Sequence, residues 1–296
     1  MFGETIARFV EEERGRLGSD RFAVAELGAG SGSLLAPLAS TLTFDPDPLI
    51  AIDLSPAARS KLGVTVPTAT VAVSLDEVAP FSGVMIANEL IDNVPMALAV
   101  RQGNDWRERW VGSDGVDLVW VDAPVRLEVE EWLGRWAGPV QDGGIVEVQL
   151  EAQALVLAAL GKLDGGALVL VDYGNTAEGL ANRRGEGTVR TYQGHHLGPH
   201  PLEAPGETDL TADVNFSALI DALTEAGAQT ELVRQDEFLE GLGIRGRLDR
   251  MRVDELAAAR DGEAMTQLEV RSLRTAGETL LHPRGLGDFR VLIARV

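Results

Sequence analysis

The sequence predicts an α/β fold with a mostly parallel sheet, and three observations lead to that prediction. Short apolar segments typical of buried strands alternate with helical segments through the first hundred residues. A glycine-rich turn at Gly28 to Gly32 joins the first of these strands to a helix. A later segment, Ala167 to Asp172, is apolar up to its final aspartate, as strands buried on both faces of a parallel sheet are.

The elements of the first hundred residues follow in a regular order. Ile6, Phe9 and Val10 have helical spacing, and Pro56 suits the first turn of a helix. The predicted order is a helix at 4–17, a strand at 21–27, a helix at 33–42, a strand at 49–54, a helix at 56–62 and strands at 71–74 and 84–88.

The sequence pattern changes at 96–145, where short β-rich segments replace the alternation of strands and helices. This change predicts a β-rich insertion within a single domain that covers residues 1–296. Gly103-Asn104 and the turn at Ser113 to Gly115 separate short β-rich pieces, which is typical of antiparallel hairpins. Tryptophans at alternating or helical positions favour core packing over a binding platform. They are Trp106, Trp110, Trp132 and Trp136.

The rest of the chain completes the sheet, which we expect to end with an antiparallel C-terminal strand. Gly165-Gly166 is expected to end the next helix, and Asn215 to cap the one after it. The polar stretch at 174–210 is long enough to predict a functional loop. The predicted order is a helix at 151–163, the buried strand, this loop, a helix from Phe216 to Gly227 and strands at 231–234 and 289–294.

Charge and composition exclude several classes of function. The chain has 26 basic and 46 acidic residues, a net charge of −20, which favours a basic peptide over nucleic acid as a partner. The same acidity is equally consistent with a role in solubility alone. Cysteine catalysis is excluded because the chain has no cysteine. No apolar run is long enough to span a bilayer, so we expect a soluble, cytoplasmic protein with no membrane span.

The segment Glu26 to Gly32, ELGAGSG, carries the strongest chemical signal. Glycines after a strand let a nucleoside cofactor approach the backbone, and Asp53 can accept both ribose hydroxyls. Dinucleotide and S-adenosylmethionine (SAM) sites share this arrangement. The pattern here is GxGxG, Ser33 stands where a dinucleotide loop has glycine, and Glu26 suits the ammonium of SAM. These details favour SAM over NAD, and a turn without a ligand is the alternative.

A second polar site follows the fourth predicted strand, in the segment ANELIDNVP at 87–95. Ligands of an open parallel sheet lie beyond the carboxyl ends of its strands, so we expect Glu89 and Asp92 to face the methyl group of the cofactor. Two carboxylates can hold a guanidinium by paired hydrogen bonds, which orients one nitrogen for transfer. The alternative is that either residue caps a helix or lies in solvent.

Three histidines, His195, His196 and His200, lack the spacing of metal ligands, so we predict no metal site. Polar contacts within the 174–210 loop are their expected role. No Gly-x-Ser-x-Gly segment accompanies them, which argues against serine hydrolysis.

These motifs resemble those of the MidA-like SAM-dependent methyltransferases, a family related to the mitochondrial complex I assembly factor that methylates arginine. The first block is common to many methyltransferases, whereas APGETDLTADVNF is specific because no general rule of folding requires it. The matching segments are ELGAGSGSL at 26–34, ANELIDNVP at 87–95, GGALVLVDYG at 165–174, GTVRTYQGHHL at 187–197, APGETDLTADVNFSAL at 204–219 and EFLEGLGI at 237–244.

The resemblance implies a Rossmann-like SAM-dependent methyltransferase fold, SAM as the donor and a protein arginine as the acceptor. It implies a protein substrate such as a respiratory-complex-like subunit. It also implies catalytic roles for Glu89 and Asp92, and a wall of the substrate cleft at 209–214. The residues that it implies for cofactor binding are Glu26, Gly28, Gly30, Gly32, Asp53 and Asn88.

Two departures from the family pattern affect the expected activity. Leu90-Ile91 replaces the aromatic pair that usually follows the acid of the second motif. Family members have a glycine-aspartate-phenylalanine element before the first helix, whereas this chain begins within the phenylalanine-glycine-glutamate that follows it. Because an uncovered cleft leaves SAM in water, we expect weak SAM binding and slow transfer without a partner. A small-molecule methyltransferase and a scaffold without turnover are the alternative functions.

Overall fold

The computed structural model describes residues 1–19, 21–194 and 196–296, and these form two compact units. The first unit comprises Met1–Asn88, Ala159–Val171 and Ala228–Val296. The second comprises Glu89–Ala158 and Asp172–Gly227. A single domain with an insertion at 96–145 stays a prediction.

Strands and helices alternate through the early part of the chain, as the sequence predicts. The strands are β1 (Ala23–Leu27), β2 (Leu49–Ile52), β3 (Thr70–Ala72), β4 (Phe81–Asn88), β5 (Ala97–Gln102), β6 (Asp105–Ser113), β7 (Leu118–Pro124), β8 (Ile145–Val148), β9 (Leu163–Asp172), β10 (Gly174–Asn175), β11 (Arg190–Gln193), β12 (His196–Leu197), β13 (Asp209–Thr211), β14 (Val214–Asn215), β15 (Gln229–Arg234) and β16 (Arg290–Arg295). The helices are α1 (Phe2–Leu17), α2 (Leu35–Thr41), α3 (Pro56–Thr65), α4 (Leu127–Trp136), α5 (Leu150–Leu160), α6 (Ala177–Ala181), α7 (Phe216–Glu225), α8 (Gln235–Gly241), α9 (Ile244–Asp261) and α10 (Ala264–Leu280), with 3₁₀ turns at Leu75–Glu77, Ile91–Asn93 and Leu286–Asp288.

The first unit is built on a seven-stranded sheet with the order β15-β16-β9-β4-β1-β2-β3. The neighbours from β9 to β3 pair in parallel. Strands β15 and β16 are antiparallel, and Gly166 and Val296 exchange both backbone hydrogen bonds, as antiparallel neighbours do. The predicted parallel sheet with an antiparallel C-terminal strand is confirmed. Its strand order reverses between β1 and β4, which is where such sheets bind ligands.

The core of the first unit includes residues of α1 at the predicted helical spacing. Ile6, Phe9 and Val10 belong to one buried cluster with sheet residues such as Val24 and Ile86. Burying each of these side chains contributes about 1.5–3 kcal/mol to folding. The sheet that carries the glycine-rich turn is therefore a rigid support for a site.

The second unit contains an antiparallel sheet with the order β7-β6-β5-β8, as the β-rich pattern predicts. Helix α4 packs on it, and Trp132 and Trp136 are buried there with their ring centroids 5.5 Å apart. Trp110 is 47% exposed, so its assignment to the core is wrong. The reason is that α4 is too short to cover the whole of β6. The ten residues of α4 span about 15 Å, whereas the nine residues of β6 extend about 30 Å.

The Gly165-Gly166 pair does not end a helix, because both residues lie within β9. A Cβ at Gly166 would lie 1.8 Å from the carbonyl oxygen of Gly83 on the neighbouring strand. Gly166 therefore permits close approach of the two backbones. In a single sequence, a glycine pair with this role looks the same as one that ends a helix.

Two further expectations differ from the structure. The 174–210 stretch holds α6 and four short strands, so only parts of it are loop. Asn215 precedes α7 without a side-chain cap, and its Nδ2 donates to the carbonyl oxygen of Trp136 at 3.1 Å. None of the helices in the described ranges is both long and apolar enough to span a membrane.

Candidate active site

The glycine-rich turn follows the fully buried strand β1. Gly28 and Ala29 both donate backbone hydrogen bonds to the carbonyl oxygen of Ile52, at 2.9 and 3.0 Å, which ties the turn to β2. Gly28, Gly30 and Gly32 have φ angles of 74°, 54° and 80°, in the left-handed region that favours glycine. The three glycines therefore permit the backbone conformation of the turn.

Gly30 and Gly32 meet different surroundings. A Cβ at Gly30 would find no atom within 4 Å, so this part of the turn is open. A Cβ at Gly32 would lie 2.8 Å from Val66 Cγ2 and 3.1 Å from Leu62 Cδ2. Gly30 leaves space for a ligand, whereas the observed contacts of Gly32 are with α3. A direct cofactor contact at Gly32 stays a prediction.

Asp53 follows β2 and binds the turn through its carboxylate. Oδ2 accepts a hydrogen bond from the Gly30 N–H at 2.8 Å, and Oδ1 accepts one from the Ser55 N–H at 2.7 Å. Each carboxylate oxygen has two lone pairs, so acceptor capacity is left for two hydroxyls. This geometry fits the predicted contact with a ribose.

Glu26 carries a buried carboxylate that lacks part of its expected bonding. The residue is 4% exposed, and its Oε2 atom has no hydrogen-bond partner among the described residues. Burial raises the pKa of Glu26 to about 8, a hydrogen bond from the Leu35 backbone opposes this, and the charge of Asp53 adds to it. An ammonium group would supply the missing donor. Glu26, Gly30 and Asp53 together fit the amino-acid and ribose parts of SAM.

In the second unit, Asp172 fixes the backbone of the segment that carries Asp92. It is fully buried, and its Oδ2 accepts hydrogen bonds from the N–H groups of Ile91 and Asp92 at 2.9 and 3.2 Å. Its Oδ1 accepts one from the Tyr173 N–H at 2.9 Å. Burial and the neighbouring Asp92 raise the pKa of Asp172 well above its usual value.

Asp92 is 2% exposed and lies in the same polar cluster. Its Oδ1 accepts a hydrogen bond from Asn93 Nδ2 at 2.6 Å, and its Oδ2 accepts one from the Tyr173 hydroxyl. Burial raises the pKa of Asp92, the Tyr173 hydrogen bond lowers it, and the charge of Glu89 raises it further. Two close carboxyl groups with raised pKa values favour retention of a proton in the cluster.

Glu89 follows β4 directly and is exposed. Its φ angle is 48°. Among the described residues other than glycine, Glu89 alone has a left-handed backbone. Such a conformation costs about 1 kcal/mol or more and is concentrated at functional sites. The structure thus places Glu89 at the surface and Asp92 in a buried cluster. Their joint hold on a guanidinium stays a prediction.

Sequence reasoning missed Asp172 and Tyr173. The signal was available, because Asp172 ends an apolar parallel strand as Asn88 ends β4, and Asn88 pairs with Val171 on the neighbouring strand. The rule that ligand-binding side chains follow such strands predicts both positions. A cofactor contact of Asn88 stays a prediction.

The predicted cleft wall at 209–214 has a structural contact at Asp213. This buried carboxylate accepts hydrogen bonds from Arg183 and Arg190. The guanidinium carbon of Arg190 also lies 5.4 Å from the centroid of the Tyr173 ring. Asp213 therefore orients an arginine that covers the residue bound to Asp92.

The two described histidines of this stretch have separate surroundings. His200 packs against Trp120 with ring centroids 6.1 Å apart, His196 is exposed, and His195 lies outside the described residues. Within residues 1–19, 21–194 and 196–296, no three histidine, aspartate or glutamate side chains are grouped as metal ligands.

The fold and the glycine turn define a class, the Rossmann-like SAM-dependent methyltransferases. The model of the family described as "Putative S-adenosyl-L-methionine-dependent methyltransferase" matches residues 5–233. The chain belongs to this family, whose methyl donor is SAM, and the MidA-like resemblance is confirmed.

Curated relatives from several organisms carry the name "Protein arginine methyltransferase NDUFAF7, mitochondrial". The protein from Danio rerio is 30% identical over 177 residues, which are 59% of this chain and 40% of the relative. The protein from Bos taurus is 29% identical over 289 residues, 84% of this chain and 62% of the relative. The chain therefore spans less than two thirds of the length of either relative.

A crystal structure from Burkholderia thailandensis, bound to S-adenosyl-homocysteine (SAH), is similar to the whole chain. It has a TM-score of 0.84 and 28% identity, covering 100% of this chain and 76% of that one. A second structure from the same organism has a TM-score of 0.85 and 28% identity, covering 100% and 79%.

Proposed function

We propose that this chain transfers a methyl group from SAM to an arginine side chain of a partner protein. The observation that carries the proposal is the buried Oε2 of Glu26, which has no hydrogen-bond donor among the described residues. The ammonium of SAM would supply one. The SAH found in the Burkholderia thailandensis structure supports this choice of donor. Bound SAM supplies an electrophilic methyl group on a sulfonium.

The residues of the first unit have distinct roles toward SAM. Glu26 binds the ammonium, and Asp53 accepts hydrogen bonds from the ribose while it holds Gly30 in place. The open side of Gly30 lets the cofactor lie against the backbone. None of these contacts needs a change in the turn, because its own hydrogen bonds already fix it.

The carboxylates of the second unit are proposed to serve the acceptor. Glu89 is exposed, so its carboxylate accepts hydrogen bonds from a guanidinium and orients one nitrogen. It also takes up the proton that this nitrogen loses on methylation. Asp92 is held by Tyr173 and Asn93, and in its ionised form it adds to the attraction for a cation.

A protein is the proposed acceptor because the relatives are named protein arginine methyltransferases. The net charge of −20 favours a basic partner surface. Family resemblance supports a respiratory-complex-like subunit as the partner. A cytoplasmic location stays a prediction, while the curated relatives carry the word mitochondrial in their names.

The test is to incubate the purified chain and isotopically labelled SAM with a lysate of the source cell, followed by mass spectrometry. We expect labelled methylarginine in a small number of proteins with the wild type, and much less of it with Asp53→Ala at the same SAM concentration. Label in the small-molecule fraction alone would overturn the protein acceptor. If SAM binds but neither fraction carries label, the proposed methyl transfer is wrong and the scaffold alternative is supported.

A further inference from the structure

A cavity of about 550 Å³ lies in the second unit, beside the segment that carries Asp92. Residues of β5, β6 and β7 line it together with residues that follow the 3₁₀ turn at Ile91–Asn93. We call it the apolar groove. Its apolar lining includes Val94, Met96, Leu98, Trp110, Trp120 and Leu210.

Asn93 connects this groove to the candidate active site. The residue lines the groove, and its Nδ2 donates a hydrogen bond to Asp92 Oδ1 at 2.6 Å. An occupant that contacts Asn93 therefore lies one side chain away from the Asp92 carboxylate. An extended peptide advances about 3.3–3.6 Å per residue, so the groove and Asp92 are within reach of a few consecutive residues.

The groove is open and its rim is held in place. Trp110, Val111 and Leu210 are each about half-exposed. The guanidinium carbon of Arg126 lies 5.2 Å from the Trp110 ring centroid, and Arg126 binds the buried Glu108 at 2.7 Å. Pockets for small molecules enclose about 70–90% of their ligand. An open, pre-organised groove suits an extended peptide that passes along it.

The charges around the groove favour a basic occupant. Arg126 pairs with Glu108, and Arg109 pairs with Asp122 at 2.9 Å. Glu151 also lines the groove and is exposed, and no basic side chain of the described residues forms an ion pair with it. The uncompensated charge is therefore negative, which complements a peptide that carries arginine or lysine.

We propose that the apolar groove binds the protein substrate beside its methylated arginine. The apolar groove binds an apolar side chain of the substrate that lies within about four residues of that arginine. The substrate segment is extended and positively charged. This inference rests on the proposed function, because it assigns the groove to the substrate of that same site. It makes Trp110 a specificity-determining residue.

The probe is a set of short fluorescent peptides, each with a central arginine in a glycine-serine background and one leucine at a different flanking position. A leucine-free peptide is the reference. Fluorescence anisotropy in the presence of SAH measures their affinities. We expect one leucine position, or two adjacent ones, to bind about tenfold tighter or more, because burying leucine contributes about 1.5–3 kcal/mol.

Trp110→Ala should remove this preference. Val116→Ala is the matched control, because Val116 is 90% exposed on the turn of the same hairpin and does not line the groove. Unchanged SAH affinity in both variants shows that they fold. A flat peptide profile, or a preference that survives in Trp110→Ala, would overturn the groove as a substrate subsite.

Methyl transfer to the same peptides is scored separately. A Trp110-dependent preference without transfer to any peptide supports the groove and counts against arginine methylation. Transfer without a preference overturns the groove and leaves the proposed function in place.

Discussion

The Tyr173 hydroxyl donates a hydrogen bond to Oδ2 of Asp92, a residue 81 positions earlier in the chain. Asp92 lies in the segment after β4, and Tyr173 follows the last residue of β9. Because β4 and β9 are neighbours in the sheet, residues that follow them can meet. This hydrogen bond opposes the rise in the pKa of Asp92 that burial causes.

Tyr173→Phe should move the acidic limb of the pH–rate profile to higher pH. The hydroxyl lowers the pKa of Asp92, so its loss raises that pKa further and the ionised form appears only at higher pH. The variant should also lose about 1–2 kcal/mol of stability, because a buried acceptor loses its donor. Tyr192→Phe is the control for the substitution itself. Superimposable profiles for the wild type and Tyr173→Phe would contradict a link between Tyr173 and Asp92.

Glu89→Gln should lower kcat/KM for an arginine acceptor by about 100-fold or more, because it removes the charge and the proton acceptor. Its melting temperature should stay close to that of the wild type, since the side chain is exposed. Glu89→Gly is a second test. It relieves the left-handed backbone and should be at least as stable as the wild type while it stays inactive. Full activity in either variant would remove Glu89 from the reaction.

Glu26→Gln should stabilise the protein without SAM, and the gain should grow with pH. The unfolded chain ionises this carboxyl near pH 4.5, whereas the folded protein keeps the proton to about pH 8. The stability contributed by Glu26 is therefore present below pH 4.5 and lost as pH rises through about 8, at up to about 1.4 kcal/mol per pH unit.

Denaturant unfolding of both proteins at pH 5 to 8 measures this difference. SAM should stabilise the wild type more than the variant at the upper end, because the ammonium pairs with an ionised Glu26. A stability difference that stays constant with pH would show that Glu26 does not titrate as its burial predicts.

Asp213→Asn should destabilise the protein by about 1–3 kcal/mol, because Arg183 and Arg190 lose their shared charged acceptor. Asp209→Asn is the control, an exposed aspartate of the same segment. If Asp213 only positions Arg190, kcat should fall by less than about tenfold at a temperature where the variant is folded. A loss of turnover with unchanged stability would instead indicate contact with the substrate.

The glycine turn and its partner Asp53 were predictable because they are close together along the chain. Gly30 and Asp53 belong to one strand, turn, helix and strand in sequence order, and glycines with a left-handed backbone directly after a strand are typical of a cofactor-binding turn. The Asp92–Tyr173 pair depends on which strands become neighbours, and a single sequence does not show this. The rule for strand ends predicts each residue separately but does not predict their hydrogen bond.

Trp110 shows a different limit of prediction from sequence. Alternation along β6 gives the face of the sheet on which a side chain lies, but it does not say how far α4 covers that face. Coverage depends on the position of a helix that begins at Leu127. The same pattern therefore predicts a core residue at 110, whereas the structure has the rim of a groove there.

Calorimetric titration with SAM and with NAD tests the assignment of the glycine turn most directly. We expect SAM and SAH to bind and NAD not to bind. Asp53→Ala should weaken SAM by about 1.5–3 kcal/mol, because the hydrogen bonds to a charged acceptor are lost. Binding of NAD with none of SAM would contradict the assignment, and so would SAM binding that is unchanged in Asp53→Ala.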